Sequence, residues 1–184
     1  LARISTSGSD AIFAFMPGGM GVRLVKQFAN AGLSDSMKFM SVFTTDETTL
    51  PGQKDAAVGF LAAGTWAPDM PNDANLAFAK AFEAKYGYIP GSYAMQAYDT
   101  ANLIDSAVAK TGGDLSDKNA VRAALKEADF TSLRGDFSFN NNHYPVQSFH
   151  MLNVVKRDDG KFQTSFVRTI KADYADSFHQ DCKM

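Results

Sequence analysis

Hydrophobic positions change their period along this 184-residue chain, and the changes mark its elements. Ala11-Ile12-Phe13-Ala14-Phe15 is five apolar residues in a row, the pattern of a strand buried on both faces of a parallel sheet. Met16-Pro17-Gly18-Gly19 ends it, because Pro and Gly stop a strand. From about Met20 to Ala31 the spacing is helical, with Leu24, Val25, Phe28 and Ala31 on one face. Gly32 falls where a left-handed C-cap favours glycine. Lys38 to Phe43 reads as the next strand, giving a βαβ unit that should be right-handed. Ala57 to Ala63 is a third apolar run, weakened by Gly59 and closed by Gly64.

Trp66 to Pro71 reads as an extended connector. Asn72 or Asp73 then caps a helix reaching about Tyr86, with Leu76, Ala79, Phe82 and Tyr86 inward. Gly87-Tyr88-Ile89-Pro90-Gly91 breaks the pattern and is the best internal boundary. A long helix follows, about Tyr93 to Lys110, with Ala94, Ala97, Tyr98, Ala101, Ile104, Ala107 and Val108 as its apolar stripe. Asp117 caps a further helix to about Ala128. After Ser132 the period falls to two. Phe149 to Val155 and Lys161 to Ile170 flank Asp159-Gly160, a strong hairpin signal. The tail from Lys171 lacks a period and reads as a surface arm. Arg3 to Asp10 reads as a helix end and a turn, and a sheet that starts so abruptly suggests a fragment or a processed chain.

Composition narrows the function classes. Hydrophobic content of 45% suffices for a packed core, and a net charge of -2 argues against nucleic acid as a partner. No apolar run approaches the roughly 18 residues of a membrane-spanning helix. Cys182 is the one cysteine, and no Cys/His cluster suggests zinc. His143, His150 and His179 show no ligand spacing and read as surface or strand residues. No nucleophile signature occurs, so neither catalytic residue, metal nor cofactor is expected. In open α/β sheets ligands bind at the carboxyl ends of the strands, which makes the loops after Phe15 and Phe43 the candidate edge. Pro17-Gly18-Gly19-Met20-Gly21 could cradle a phosphate, but it lacks the Lys-Ser/Thr ending of a P-loop, and a tight strand-to-helix turn is the plainer reading.

The order and spacing of several pieces resemble one family. They are Ala11 to Leu33, Phe39 to Phe43, Phe78 to Tyr86 before Pro90, Tyr98-Asp99-Thr100-Ala101, and Gly135-Asp136-Phe137-Ser138-Phe139 before the Asp159-Gly160 turn. Together they resemble the C-terminal portion of the type I periplasmic solute-binding proteins of ABC transporters, in the branch of the leucine/isoleucine/valine-binding proteins. The resemblance implies an α/β fold: a parallel-sheet βαβ lobe, helices belonging to the other lobe, and a C-terminal β-hairpin. It implies that residues 1–91 form the second lobe's core. Residues 92–142 would return to the first lobe, and residues 143–184 would rejoin the second as hairpin and tail. It further implies a periplasmic protein, its signal peptide outside this chain, that closes two lobes about a hinge on a small molecule and is recognised by an ABC permease. The helices of 92–142 would lack their usual sheet, which predicts oligomerisation or domain swapping of this chain.

In amino-acid-binding members a carboxylate just after the second of these strands pairs with the ligand's ammonium. Here Phe43 holds that position, followed by Thr44, with Asp46 and Glu47 displaced by three and four residues. An apolar ring cannot compensate a buried ammonium. The ligand is therefore expected to be an aromatic or other hydrophobic carboxylate rather than an α-amino acid. Phe15, Met16, Pro17, Phe43, Thr44, Trp66 and Tyr93 are the candidate ligand-binding residues. Phe43, at a strand's end, fits a core role equally, and for Phe13 the core role is preferred. Tyr98 is expected to pack within the helices, and Asp46-Glu47 to be an exposed acidic loop. Two alternatives remain: a ligand-sensing regulator or receptor domain of the same fold, and a doubly wound nucleotide-binding enzyme using the glycine loop.

Overall fold

In the computed structural model, which describes residues 1–183, the short apolar runs become the strands of a mixed sheet. A short helix α1 (Ala2–Ser5) leads to β1 (Ala11–Ala14), α2 (Gly19–Asn30) and β2 (Lys38–Ser41). Next come a one-turn helix α3 (Leu50–Gln53), β3 (Leu61–Gly64), α4 (Asp73–Tyr86), α5 (Ser92–Lys110) and α6 (Lys118–Glu127). The chain ends with β4 (Ser138–Phe139), β5 (Pro145–Lys156) and β6 (Phe162–Tyr174). β1, β2 and β3 are parallel neighbours in that order. β5 joins β3 antiparallel, and β6 pairs with β5 across the Asp159-Gly160 turn. β4 pairs with the start of β5. The α/β class and the hairpin are as the periodicity predicts.

Several boundaries differ, each for a local reason. Lys54–Ala57 forms a 3-10 turn and Gly59 has φ +84°, so the third strand begins only at Leu61. β6 continues to Tyr174, so Lys171–Tyr174 is a strand end rather than part of a free arm. In α4 the buried residues are Asn75 and Phe78, whereas Leu76 and Tyr86 face outward. In α5 they are Met95, Asp99 and Ala107, and Tyr98 and Ile104 are about half exposed. A stripe drawn through small alanines marks that face poorly, because the helix is oriented by a charge. Asp99 Oδ1 accepts from the Leu133 amide at 3.0 Å. Its Oδ2 accepts from the Ser132 hydroxyl at 2.6 Å and from Arg134 Nε at 3.2 Å. Arg134 also donates to Gln147 Oε1 at 2.8 Å, which ties α5 to β5. The caps are as expected: Asn72 accepts from the Asn75 amide, and Asp117 from Asn119 and Ala120.

Two apolar clusters hold the helices to the sheet. Phe28, Phe39 and Phe60 meet beneath β1–β3 with centroid separations of 5.2, 5.7 and 4.5 Å. Ala62, Trp66, Phe78, Met95 and Leu152 form the second cluster under α4 and the start of α5. Phe13, Met40 and Leu61 lie in register across β1–β3 on the opposite side of the pleat from Ile12 and Phe39. Phe13 is 67% exposed there, which corrects the core role preferred for it: a strand's alternation sends every second residue to the other face, and among the described residues none buries this one.

Candidate functional site

The loops that follow β1 and β2 lie side by side at the carboxyl edge of the parallel strands, and one hydroxyl joins them. Thr44 Oγ1 donates to the Ala14 carbonyl at 3.0 Å and accepts from the Met16 amide at 2.8 Å. The Thr44 carbonyl accepts from Gln53 Nε2 at 2.7 Å and from the Thr49 hydroxyl at 3.1 Å. Thr44 is fully buried, so its side chain holds the rim together rather than facing a ligand, a correction to its expected role.

Between these anchors Phe43 takes φ +54°, a left-handed conformation unfavourable for a side chain with a Cβ. The Thr44 network holds it there, and the consequence is a ring turned to the surface. The Phe15 and Phe43 rings meet edge to face at 6.3 Å, and Phe43 stacks on Tyr93 of α5 at 6.3 Å. Met16, exposed beside Phe15 and held by its amide to Thr44, extends this wall. Phe15, Met16, Phe43 and Tyr93 are thus brought together. Pro17 sits exposed in the same loop.

Trp66 does not belong to the wall. It is fully buried, its indole N–H donates to Asn75 Oδ1 at 2.6 Å, and its ring packs on Phe78. Its place is therefore not in the exposed wall but in the lining of the cavity that lies behind Phe43, where its buried acceptor fixes the indole. The glycine loop has a packing reason too. A Cβ on Gly21 would lie 2.1 Å from the Met16 carbonyl oxygen, so the helix start approaches the loop more closely than any other residue allows.

Behind Phe43 lies a cavity of about 130 Å³ between the ends of β2 and β3, the start of α5 and the β5–β6 hairpin. Phe43, Phe149 and Leu152 give it apolar surface, and Thr45, Ser92, Gln96 and Glu47 give it polar groups. Its only ionisable lining groups, among the described residues, are Asp46 and Glu47. These two carboxylates differ. Asp46 caps its own loop, accepting from the Thr48 and Thr49 amides. Glu47 is buried and accepts from the Thr164 amide at 2.8 Å and hydroxyl at 2.6 Å. Burial pushes the Glu47 carboxyl up to about 7, and the Thr164 bonds only partly offset it. The expected exposed acidic loop is therefore half wrong. The β6 pairing that buries Glu47 is a contact 117 residues away in sequence, which no local pattern announces.

Comparison with known proteins places this geometry. A family described as periplasmic binding protein matches residues 1–161. Leu/Ile/Val-binding protein homolog 6 of Brucella melitensis is 27% identical over 178 residues, covering 93% of this chain and 45% of that protein. The chain thus spans about half the length of the curated relatives it matches. Among solved structures, an R. palustris ABC transporter solute-binding protein in complex with benzoate superposes with a TM-score of 0.86 at 30% identity, over 100% of this chain and 49% of that one. A second, in complex with 4-hydroxybenzoate, gives 0.80 at 32% identity, over 94% and 48%.

Proposed function

The chain belongs to the periplasmic binding protein family, and from that premise we propose that it forms one wall of the binding cleft in a periplasmic solute-binding component of an ABC importer, specific for aromatic carboxylates. The observation that carries the specificity is Phe43. It occupies the position after β2 where an ammonium-binding member would need a carboxylate, and it stands in an exposed wall with Phe15 and Tyr93. Such a wall offers edge and face contacts to an aromatic ring, and at Phe43 it lacks the carboxylate that an α-ammonium would pair with. Similar proteins in complex with benzoate and 4-hydroxybenzoate support the same ligand class. Among the described residues no lysine or arginine lines the cavity behind Phe43, so the ring faces this wall and the carboxylate points away, toward an opposing lobe.

In this reading residues 1–91 and the hairpin form one lobe, and α5 and α6 reach into the other. Capture is a hinge equilibrium shifted toward the closed form by the ligand, and the closed form is what the permease recognises. The exposed apolar residues of α5, Tyr98 and Ile104, then pack against the remainder of the binding protein, or against a second copy when this chain is alone. No covalent step is required of any residue.

A thermal-shift titration of the intact protein carrying this chain tests the reading. Benzoate and 4-hydroxybenzoate should stabilise it, by about 2.7 kcal/mol at a hundredfold excess over Kd. Stabilisation by leucine or valine with none by the aromatic acids would overturn it.

A further inference from the structure

The aromatic wall makes no use of the one buried carboxylate beside it. Glu47 is 9% exposed, and its Oε1 takes both bonds from Thr164. Oε2 accepts no hydrogen bond from another residue among those described. Glu47 lines the cavity behind Phe43. A carboxylate withdrawn from water whose bonds from other residues all fall on one oxygen is costly, and a donor arriving in the cavity would relieve it.

The cavity restricts what that donor can be. Its volume of about 130 Å³ is close to the ~150 Å³ known to hold a single benzene ring. Phe43 and Phe149 provide the apolar surface such a ring needs, and Ser92 and Gln96 line it from α5. Asp46 and Glu47 repel a ligand carboxylate, and the ammonium partner position is filled by Phe43. A neutral donor carried on an aromatic ring meets these conditions together.

We infer that Glu47 is the specificity-determining acceptor for a ring hydroxyl, with the ligand's ring in the cavity behind Phe43, its hydroxyl on Glu47 Oε2 and its carboxylate directed outward. The inference rests on the aromatic-acid reading above. It adds that hydroxybenzoates are the preferred members of that class. The bond is charge-assisted when Glu47 is ionised, and it supplies the third donor that the Thr164 pair leaves wanting.

The test measures Kd by calorimetry for benzoate, 3-hydroxybenzoate, 4-hydroxybenzoate and their methoxy counterparts, on the intact protein and on Glu47→Gln. At least one hydroxybenzoate should bind about tenfold or more tighter than benzoate, and its methoxy counterpart, which cannot donate, should bind no better than benzoate. In Glu47→Gln the amide oxygen keeps the Thr164 bonds and turns an NH2 donor toward the cavity. The hydroxyl preference, read as the ratio of the hydroxybenzoate and benzoate Kd values in the same variant, should then fall to within about threefold. If that variant fails to fold, the hydroxy-to-methoxy comparison on the unaltered protein decides. Equal affinity for benzoate and both hydroxybenzoates, or a preference that survives Glu47→Gln, would overturn the role of Glu47 and leave the aromatic-acid reading standing. Binding of leucine with no aromatic acid would overturn both.

Discussion

Phe28, Phe39 and Phe60 meet beneath the sheet, whereas Phe15, Phe43 and Tyr93 meet at its rim. The first three rings are 0, 2 and 6% exposed, and the last three 63, 37 and 59%. Both groups contain edge-to-face and stacked pairs, the inner ones 4.5–5.7 Å apart and the rim ones 6.3 Å apart. What separates them is position relative to the strand ends. Phe39 lies inside β2 and points at α2, whereas Phe15 and Phe43 stand just past the last paired residues of β1 and β2. Beyond the ladder the backbone is free to turn, and at Phe43 it turns into the left-handed region. The inner triad stabilises the fold by excluding water. The rim triad leaves apolar area in water, which is consistent with a surface kept open for a ligand.

That contrast breaks most sharply under truncation of the inner triad. Phe28→Ala should lower unfolding free energy by about 3–5 kcal/mol, since a fully buried phenylalanine leaves both lost transfer energy and a cavity. Urea denaturation followed by circular dichroism measures it. If the loss were under ~1 kcal/mol, the separation between floor and rim would be wrong.

Glu47 stands between the two regions, and its effect is nearly as large. A carboxyl raised to about 7 in the folded protein holds its proton more tightly there than in the unfolded chain. The contribution of Glu47 to stability is then greatest below about 4.5, the ordinary glutamate value, and falls as pH rises to about 7, by on the order of 3 kcal/mol in all. Glu47→Gln should flatten this part of the profile, so the variant gains on the parent at pH 8 relative to pH 5. Denaturation midpoints across that range check it, and parallel profiles for the two proteins would remove Glu47 as the cause.

The residues of the floor were legible in the sequence and those of the site only partly so. Phe28 and Phe39 sit in runs whose period states their burial, and the order of strand, glycine loop and helix carries the family resemblance. Phe43 was legible as an aromatic ring where a carboxylate would bind an ammonium. Glu47 and Thr44 were not. Both are polar residues in a polar loop, and what buries them is pairing with β6, with β1 and with Gln53, which is decided by tertiary packing. Phe13 and Trp66 show the converse. One apolar ring in a strand faces water because its sheet face is uncovered, and one beyond a strand is core because Asn75 satisfies its indole.

Thr44→Val should show how the rim is held. It keeps the shape but loses the hydroxyl, so the Met16 amide and the Ala14 carbonyl each lose a partner. The expected cost is about 1–3 kcal/mol of stability, together with weaker binding of aromatic acids because the Phe15 and Phe43 loops are no longer fixed to each other. Equal stability of Thr44→Val and the parent would show that the two loops hold their places independently.

The smallest expected change in stability, paired with a clear change in binding, belongs to Phe43→Gly. Glycine adopts φ +54° without the steric cost that a Cβ incurs, which favours the variant by about 1 kcal/mol. Against this stands the loss of the ring's contacts with Phe15 and Tyr93, a contribution of similar size for partly exposed aromatic pairs. The two nearly cancel, so the denaturation midpoint should barely move. Affinity for benzoate should nonetheless fall about tenfold or more, because the central ring of the wall is gone. The paired measurement separates the two triads directly. If Phe43→Gly destabilised the protein as strongly as Phe28→Ala and left benzoate binding intact, Phe43 would belong with the floor, and the ligand would have to be sought at another surface.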